Sequence, residues 1–263
     1  MSKDLDYILS KMKEACLKAS KEIMSLYNLK NYKVDLKEDN SPVTTADLNS
    51  NRIIHEVLSE FDDIAFLSEE DNDDIKRMNS DYVFIVDPLD GTSDFVNRDN
   101  SFSINLALVY KGIPVISVIG LPPLNGYCFA LKDKGCYCVI DSKENKLHVS
   151  DKKENLILVE SMTHTNEKEK DIYNRHKSRI EKTIKAGAST KAYLIASGQA
   201  DVSIRYTSMT KEWDTCACDL IITESGGFFT DTNLKSFSYN KKDVYNHDGY
   251  CMFNSKENFD LLK

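Results

Sequence analysis

The chain has 263 residues, with 34 Lys and Arg against 42 Asp and Glu for a formal net charge of −8; 41% of it is hydrophobic and 29% charged. At roughly 150 residues per domain the length allows one catalytic unit of two closely packed lobes, and the apolar fraction suffices for a sizeable core. The acidic balance argues against a nucleic-acid polymer or an anionic membrane as partner, because both call for a basic footprint.

Met1 to Asp6 runs straight into charged residues without an apolar signal core. No stretch approaches the roughly 18 apolar residues of a membrane span, so a cytoplasmic protein is expected. Leu5, Ile8, Leu9, Met12, Ala15, Cys16, Ala19, Ile23 and Met24 recur at helical spacing and predict a long amphipathic helix ending near Tyr27 and Asn28. Residues 30–41 are polar and read as a loop, and a second helix is expected over 45–58. Short apolar runs predict strands at 64–67, 82–86, 104–110, 115–119, 127–131 and 137–140.

After Lys143 the pattern changes. A strand is expected at 156–159, a charged surface helix over 166–182, a short helix at 190–196, a strand at 202–205 and a buried helix over 213–224 that stops at Gly226-Gly227. Without strict βαβ alternation, these elements indicate a layered α/β or α+β sandwich, with an N-terminal lobe over about 1–142 and a C-terminal lobe over about 143–263. The seven cysteines (16, 128, 136, 138, 216, 218, 251) include no C-x-x-C pair and read as reduced, buried thiols.

The segment Val83-Phe-Ile-Val-Asp-Pro-Leu-Asp-Gly-Thr-Ser-Asp-Phe95 is the most informative. A buried strand delivers Asp87 at its end, Pro88 is expected to break the ladder, and Asp90-Gly91-Thr92 turns the chain toward a helix start. Strand ends of this kind carry ligand-binding residues. Asp87 and Asp90, with the Leu89 carbonyl between them, offer the all-oxygen donors that suit a hard cation such as Mg²⁺, and the amides after Gly91 offer an anion site beside it. Asp-Pro and Asp-Gly are also plain turn formers. Glu69 follows another strand end, although a solvated acidic loop explains it equally well; the neighbouring Asp71-Asn-Asp-Asp74 lacks the glycine and terminal glutamate of an EF-hand. Asp47, three residues after Thr44, reads as a helix cap, and Asp214, at the start of the buried helix, as a complement to the helix dipole.

Taken in order, Asp39-Asn-Ser-Pro-Val-Thr-Thr-Ala-Asp47, Leu67-Ser-Glu-Glu-Asp71, Asp87-Pro-Leu-Asp-Gly-Thr92, Glu212-Trp-Asp-Thr-Cys-Ala217 and Glu224-Ser-Gly-Gly227 resemble the lithium-sensitive, magnesium-dependent phosphomonoesterase superfamily that contains inositol monophosphatase. Residues 94–108, the segment Gly187-Ala-Ser-Thr-Lys191 and Arg205 are most similar to its 3′(2′),5′-bisphosphate nucleotidases. Ala188 departs from the usual serine, and Met162-Thr-His164 matches loosely.

The resemblance implies an α-β-α-β-α sandwich of the sugar-phosphatase type. It places Glu69, Asp87 and the Leu89 carbonyl on a first Mg²⁺ and Asp87, Asp90 and Asp214 on a second, with Glu69 helping a third; Mn²⁺ suits the same donors. Asp47 and Thr92 would orient and deprotonate the attacking water, and Gly91, Thr92, Ser189, Lys191 and Arg205 would contact the substrate. The implied reaction is hydrolysis of the 3′-phosphate of adenosine 3′,5′-bisphosphate by a monomer or homodimer, with a phosphorylated small molecule as its only expected partner. An inositol or sugar phosphatase is the alternative, and a non-catalytic divalent-cation protein a remote one. An aspartyl-phosphate mechanism wants D-x-D, whereas the spacing here is D-x-x-D across a proline. There is no Walker A motif, nucleophile elbow or H-E-x-x-H helix. Of the five histidines only His164 is a candidate substrate contact, and a plain surface residue is the commoner reading for it.

Overall fold

The computed structural model describes residues 3–30, 32–36, 42–162 and 165–263. The start of the first motif at Asp39–Ser41 and the candidate His164 lie outside them. Helix α1 is Leu5–Leu29, opened by Asp4, whose carboxylate accepts the Tyr7 amide at 3.0 Å. Helix α2 is Thr45–Leu58 and begins in a capping box: Thr44 Oγ1 accepts the Ala46 amide, and Asp47 Oδ2 accepts the Thr44 amide at 2.8 Å.

Seven strands follow one another in both sequence and space: β3 (Ala65–Ser68), β4 (Tyr82–Asp90), β5 (Ser103–Tyr110), β6 (Ile113–Leu121), β7 (Gly126–Leu131), β8 (Gly135–Ile140) and β9 (Lys143–Leu147). All neighbours are antiparallel except the parallel pair β3 and β4. Phe84, Val86, Leu106, Leu108, Ile116 and Val118 face α1 and α2, while the alternate residues Val83, Ile85, Ala107, Val109, Ile119 and Leu121 face a second core. A sheet covered on both faces needs apolar residues at every position, which is why these strands read as continuous apolar runs.

The second sheet has the order β11–β10–β12–β14–β13, from β10 (Leu156–Ser161), β11 (Ile180–Ala186), β12 (Val202–Arg205), β13 (Phe228–Thr230) and β14 (Tyr250–Phe253). Helices α5 (Thr190–Ala196) and α6 (Glu212–Glu224) pack between the two sheets. Helix α4 (Glu167–Arg175) and the 3₁₀ turn Lys256–Leu262 cover the outer face of the second sheet. The layers therefore run α-β-α-β-α. A short helix, α3 (Thr92–Asn97), leads out of β4.

Several expectations need correction. The helix anticipated over 166–182 ends at Arg175, and Ile180–Ala186 is an edge strand parallel to β10. Glu181, Lys182 and Lys185 point to solvent there, so the strand's charge pattern imitates a surface helix. Within the anticipated loop 30–41, β1 (Val34–Leu36) pairs with β2 (Pro42–Thr44). The exposed edge strand β9 and the short strands β13 and β14 carry too little pattern to be seen. Pro88 also does not end β4. Asp87 lies opposite Asn105 and Asp90 opposite Ser103, so three steps on β4 answer two on β5, and the strand resumes beyond a bulge. Proline fits there because the bulge asks for no ladder amide.

All seven cysteines are buried free thiols. No helix among the described residues is long and apolar enough to cross a membrane.

Candidate active site

Three carboxylates meet where β4 bulges beside the first turn of α6: Asp87, Asp90 and Asp214 each bring an oxygen within 4.8 Å of the others. Asp90 is held most firmly, since its Oδ2 accepts hydrogen bonds from Asn105 Nδ2 at 3.0 Å, Ser189 Oγ at 3.0 Å and Ser103 Oγ at 3.3 Å. Asp87 Oδ1 accepts the Leu89 amide at 3.1 Å, and Asp214 Oδ2 accepts the Lys211 amide at 2.6 Å. Glu69 and Leu89 line the same cleft of about 380 Å³.

Burial, and neighbouring carboxylates after it, raise the affinity of these acids for protons. Burial pushes Asp87 and Asp214 well above the ordinary carboxylate range, and the charges of Glu69, Asp90 and Asp214 on Asp87, or of Asp90 and Glu69 on Asp214, push further. Asp90 is also raised by burial, against the opposing pull of Lys191 and the hydrogen bonds from Asn105 and Ser189. A buried cluster of oxygen donors in mutual repulsion is what a hard divalent cation relieves, so the residues present fit a metal ion.

This has a sign that can be checked. Acids whose pKa rises on folding add stability below their unfolded pKa of about 3.9, and that stability is lost as pH climbs through the raised folded values. The protein stripped of divalent ions is therefore expected to melt at progressively lower temperature as pH rises from 4 toward 8. The melting-temperature gain on adding Mg²⁺ should grow over the same range. Thermal melts with EDTA and with Mg²⁺ at each pH measure both.

Beside the cluster, Thr92 Oγ1 donates to Asp47 Oδ1 at 2.8 Å and lies 3.2 Å from the Leu89 carbonyl. Thr92 lines the cleft, and Asp47, 1% exposed, sits behind it. Burial raises the Asp47 carboxyl, against hydrogen bonds from Thr44 and Thr92. Asp47 thus serves two ends at once, with Oδ2 capping α2 and Oδ1 facing Thr92. The turn that aims the first amides of α3 at the cleft needs Gly91, whose φ of 87° is left-handed.

The remaining sequence candidates line the cleft as well. Lys191 is buried and donates to the Ala188 carbonyl at 2.7 Å; burial lowers its pKa, and the Asp90 charge opposes that. Arg205 is ion-paired with Glu169 of α4 at 2.8 Å. Ser189 spends its hydroxyl proton on Asp90 and accepts the Cys218 thiol at 3.1 Å, so it supports a carboxylate of the cluster.

Ser103 and Asn105 escaped notice in the sequence, although both donate to Asp90. Their signal is legible in hindsight: they are two alternate polar residues on one face of an otherwise apolar strand. Asp94 and Lys211, also in the cleft wall, carry no such signal.

A sequence model of the inositol monophosphatase family matches residues 4–260. The chain is 32% identical over 252 residues to the 3′(2′),5′-bisphosphate nucleotidase CysQ of Aggregatibacter actinomycetemcomitans, covering 94% of this chain and 92% of that one. Identity to the CysQ of Haemophilus influenzae is 30% over 253 residues, covering 94% and 93%. Among solved structures, CysQ from Bacteroides thetaiotaomicron, described as a bacterial member of the inositol monophosphatase family, superposes with a TM-score of 0.83 at 31% identity and covers 95% of this chain and 98% of its own.

Proposed function

The chain belongs to the inositol monophosphatase family, and from that premise we propose that it hydrolyses the 3′-phosphate of adenosine 3′,5′-bisphosphate, giving AMP and phosphate. It is a phosphomonoesterase of the 3′(2′),5′-bisphosphate nucleotidase type. The observation that carries the substrate reading is the presence of two cationic side chains, Lys191 and Arg205, in the same cleft as the carboxylate cluster. Both keep a partner within the protein, Lys191 at the Ala188 carbonyl and Arg205 at Glu169, and a second phosphate would add a negative charge for them to meet that a monophosphate does not bring.

Glu69, Asp87, the Leu89 carbonyl, Asp90 and Asp214 would hold two or three Mg²⁺, and Mn²⁺ suits the same oxygens. When bound, the ions lower the pKa of water and stabilise charge on the attacking and leaving oxygens. The chain's own residues supply the rest. The phosphoryl group rests on the Gly91 and Thr92 amides, in line between nucleophile and leaving oxygen. As the attacking water gives its proton to Thr92 Oγ1, Thr92 passes its own along the existing hydrogen bond to Asp47 Oδ1, and the leaving 3′-oxygen takes a proton from a second water beside Asp214. Ser189, Ser103 and Asn105 keep Asp90 aimed into the cleft throughout. Lys191 takes the second phosphate, and Arg205 reaches it while keeping its ion pair with Glu169.

The test is phosphate release from adenosine 3′,5′-bisphosphate, inositol 1-phosphate and fructose 1,6-bisphosphate, each with and without Mg²⁺. The bisphosphorylated nucleotide should give the highest kcat/KM. Lys191→Ala should cost it about 10- to 100-fold, the weight of one charge-assisted contact, and cost inositol 1-phosphate far less. A preference for inositol 1-phosphate that Lys191→Ala leaves alone would refute the nucleotide reading.

A further inference from the structure

Four acidic residues of the cleft wall, Glu69, Asp87, Asp90 and Asp214, are occupied by the reaction above; Asp94 is not. It stands at the third position of α3, only 5% exposed, and its carboxylate accepts no hydrogen bond among the described residues. Its Oδ1 is sealed from solvent and has no partner.

The ordinary explanation for an acid at that position is a helix cap. A cap would close on the Gly91 amide, and α3 has no side-chain cap bond. None of the neighbouring donors is hydrogen-bonded to it. The Gly187 amide goes to Ser101 Oγ at 2.9 Å, the Asp99 amide to the Asp94 main-chain carbonyl at 2.9 Å, and Lys191 Nζ acts on Asp94 by its charge while it donates to the Ala188 carbonyl.

A methyl group built on Gly187 would lie 1.9 Å from Asp94 Oδ2 and 2.6 Å from the Ser101 carbonyl oxygen. Among the described residues two acceptors therefore converge beside Gly187 without a donor between them, next to the Gly91 turn on which the proposed reaction would rest the scissile phosphate. Burial pushes the Asp94 carboxyl up to about 6, against the pull of Lys191, as expected of an acid lacking donors. A buried acceptor left without a donor is costly, and in a cleft wall that cost is recovered when a ligand brings one.

We propose that Asp94 is a specificity residue, accepting a hydrogen bond from a neutral O–H or N–H donor on the nucleoside part of the substrate. The inference rests on the nucleotidase reading. The donor is either the ribose 2′-hydroxyl, vicinal to the scissile phosphate, or the 6-amino group of the base. The oxygen placed to meet it is Oδ2, which lies against Gly91 and Gly187, two residues of the cleft lining.

The experiment compares kcat/KM of wild type, Asp94→Ala and Asp94→Asn, with saturating Mg²⁺, on adenosine 3′,5′-bisphosphate, its 2′-deoxy analogue and inosine 3′,5′-bisphosphate. Inositol 1-phosphate and p-nitrophenyl phosphate serve as references. Wild type should prefer the complete nucleotide over one of the two analogues by about 10- to 100-fold, which identifies the donor. Asp94→Ala should lose a similar factor on the complete nucleotide and much less on that analogue, so that the two changes are not additive. Asp94→Asn keeps the shape and one acceptor and should restore part of the preference. Equal losses on all three nucleotides, or a preference unchanged in Asp94→Ala, would overturn the role. Wild-type turnover of the two references without turnover of any nucleoside bisphosphate would instead overturn the nucleotidase reading, and this inference with it.

Discussion

Asp90→Asn is expected to purify as a folded protein whose Mg²⁺-dependent phosphate release has dropped by about three orders of magnitude, on the order of 4 kcal/mol of lost transition-state stabilisation. The size follows from how Asp90 is held. Its Oδ2 is saturated by three donors from β5 and the start of α5, so an asparagine placed there keeps its carbonyl oxygen toward them and turns its amide protons toward the metal position. Loss of one of the charges that repel Asp87 and Asp214 also predicts a smaller rise in melting temperature on adding Mg²⁺. Phosphate release and thermal melts, with EDTA and with Mg²⁺, test both halves. A folded Asp90→Asn protein with unchanged Mg²⁺-dependent activity would remove the carboxylate cluster from the reaction.

The second large effect belongs to the Thr92–Asp47 pair. Thr92→Val removes the hydroxyl that links the cleft to Asp47 and should lower kcat by about 10²- to 10⁴-fold, the range for a lost proton-transfer group, while leaving the Mg²⁺ concentration for half-activation near that of wild type. Thr92→Ser should recover most of the activity. Asp47→Asn should lose a comparable factor, but it also weakens the α2 cap by about 1 kcal/mol, so the threonine variants separate catalysis from stability more cleanly.

Asp47 must be ionised to accept a proton, and burial holds its pKa above the free value of about 3.9. Activity is therefore present above that raised pKa and falls as pH drops through it, so the acid limb of the wild-type profile should lie higher than a free carboxylate would place it. If Thr92→Val turned over at the wild-type rate, the relay would be wrong.

Much of this was legible before any coordinates because it lies in local pattern. Thr45–Leu58, Thr190–Ala196 and Val202–Arg205 begin and end where periodicity and composition place them. The acids of the Asp-Pro-Leu-Asp-Gly-Thr segment do gather with Asp214. What stayed hidden depends on distance along the chain. Asp47 reads from local pattern as a helix cap and is one; its pairing with Thr92, 45 residues away, comes from the family resemblance alone, and the fold brings its second oxygen there. Ser189 was assigned to the substrate, yet its hydroxyl is turned to Asp90, 99 residues earlier. The resemblance puts Arg205 in contact with the substrate, and the fold adds Glu169 as a partner on a helix whose length the sequence misjudges. Ile180–Ala186 was mistaken for helix because an edge strand obeys solvent on most of its sides, and charge there carries no period of two.

The bulge at Pro88 and Leu89 makes the site a matter of counting. On a regular strand an odd number of backbone steps carries a side chain to the opposite side of the sheet, and Asp87 and Asp90 are three steps apart. The one supernumerary residue converts that odd interval into an even one, so both acids emerge into the same cleft. What the chain must inherit between the two is a number more than an identity. Exchanging Pro88 or Leu89 for other residues leaves the parity intact, whereas the same two residues laid out as a regular strand, without the bulge, would send one of the two acids into the wrong layer of the sandwich.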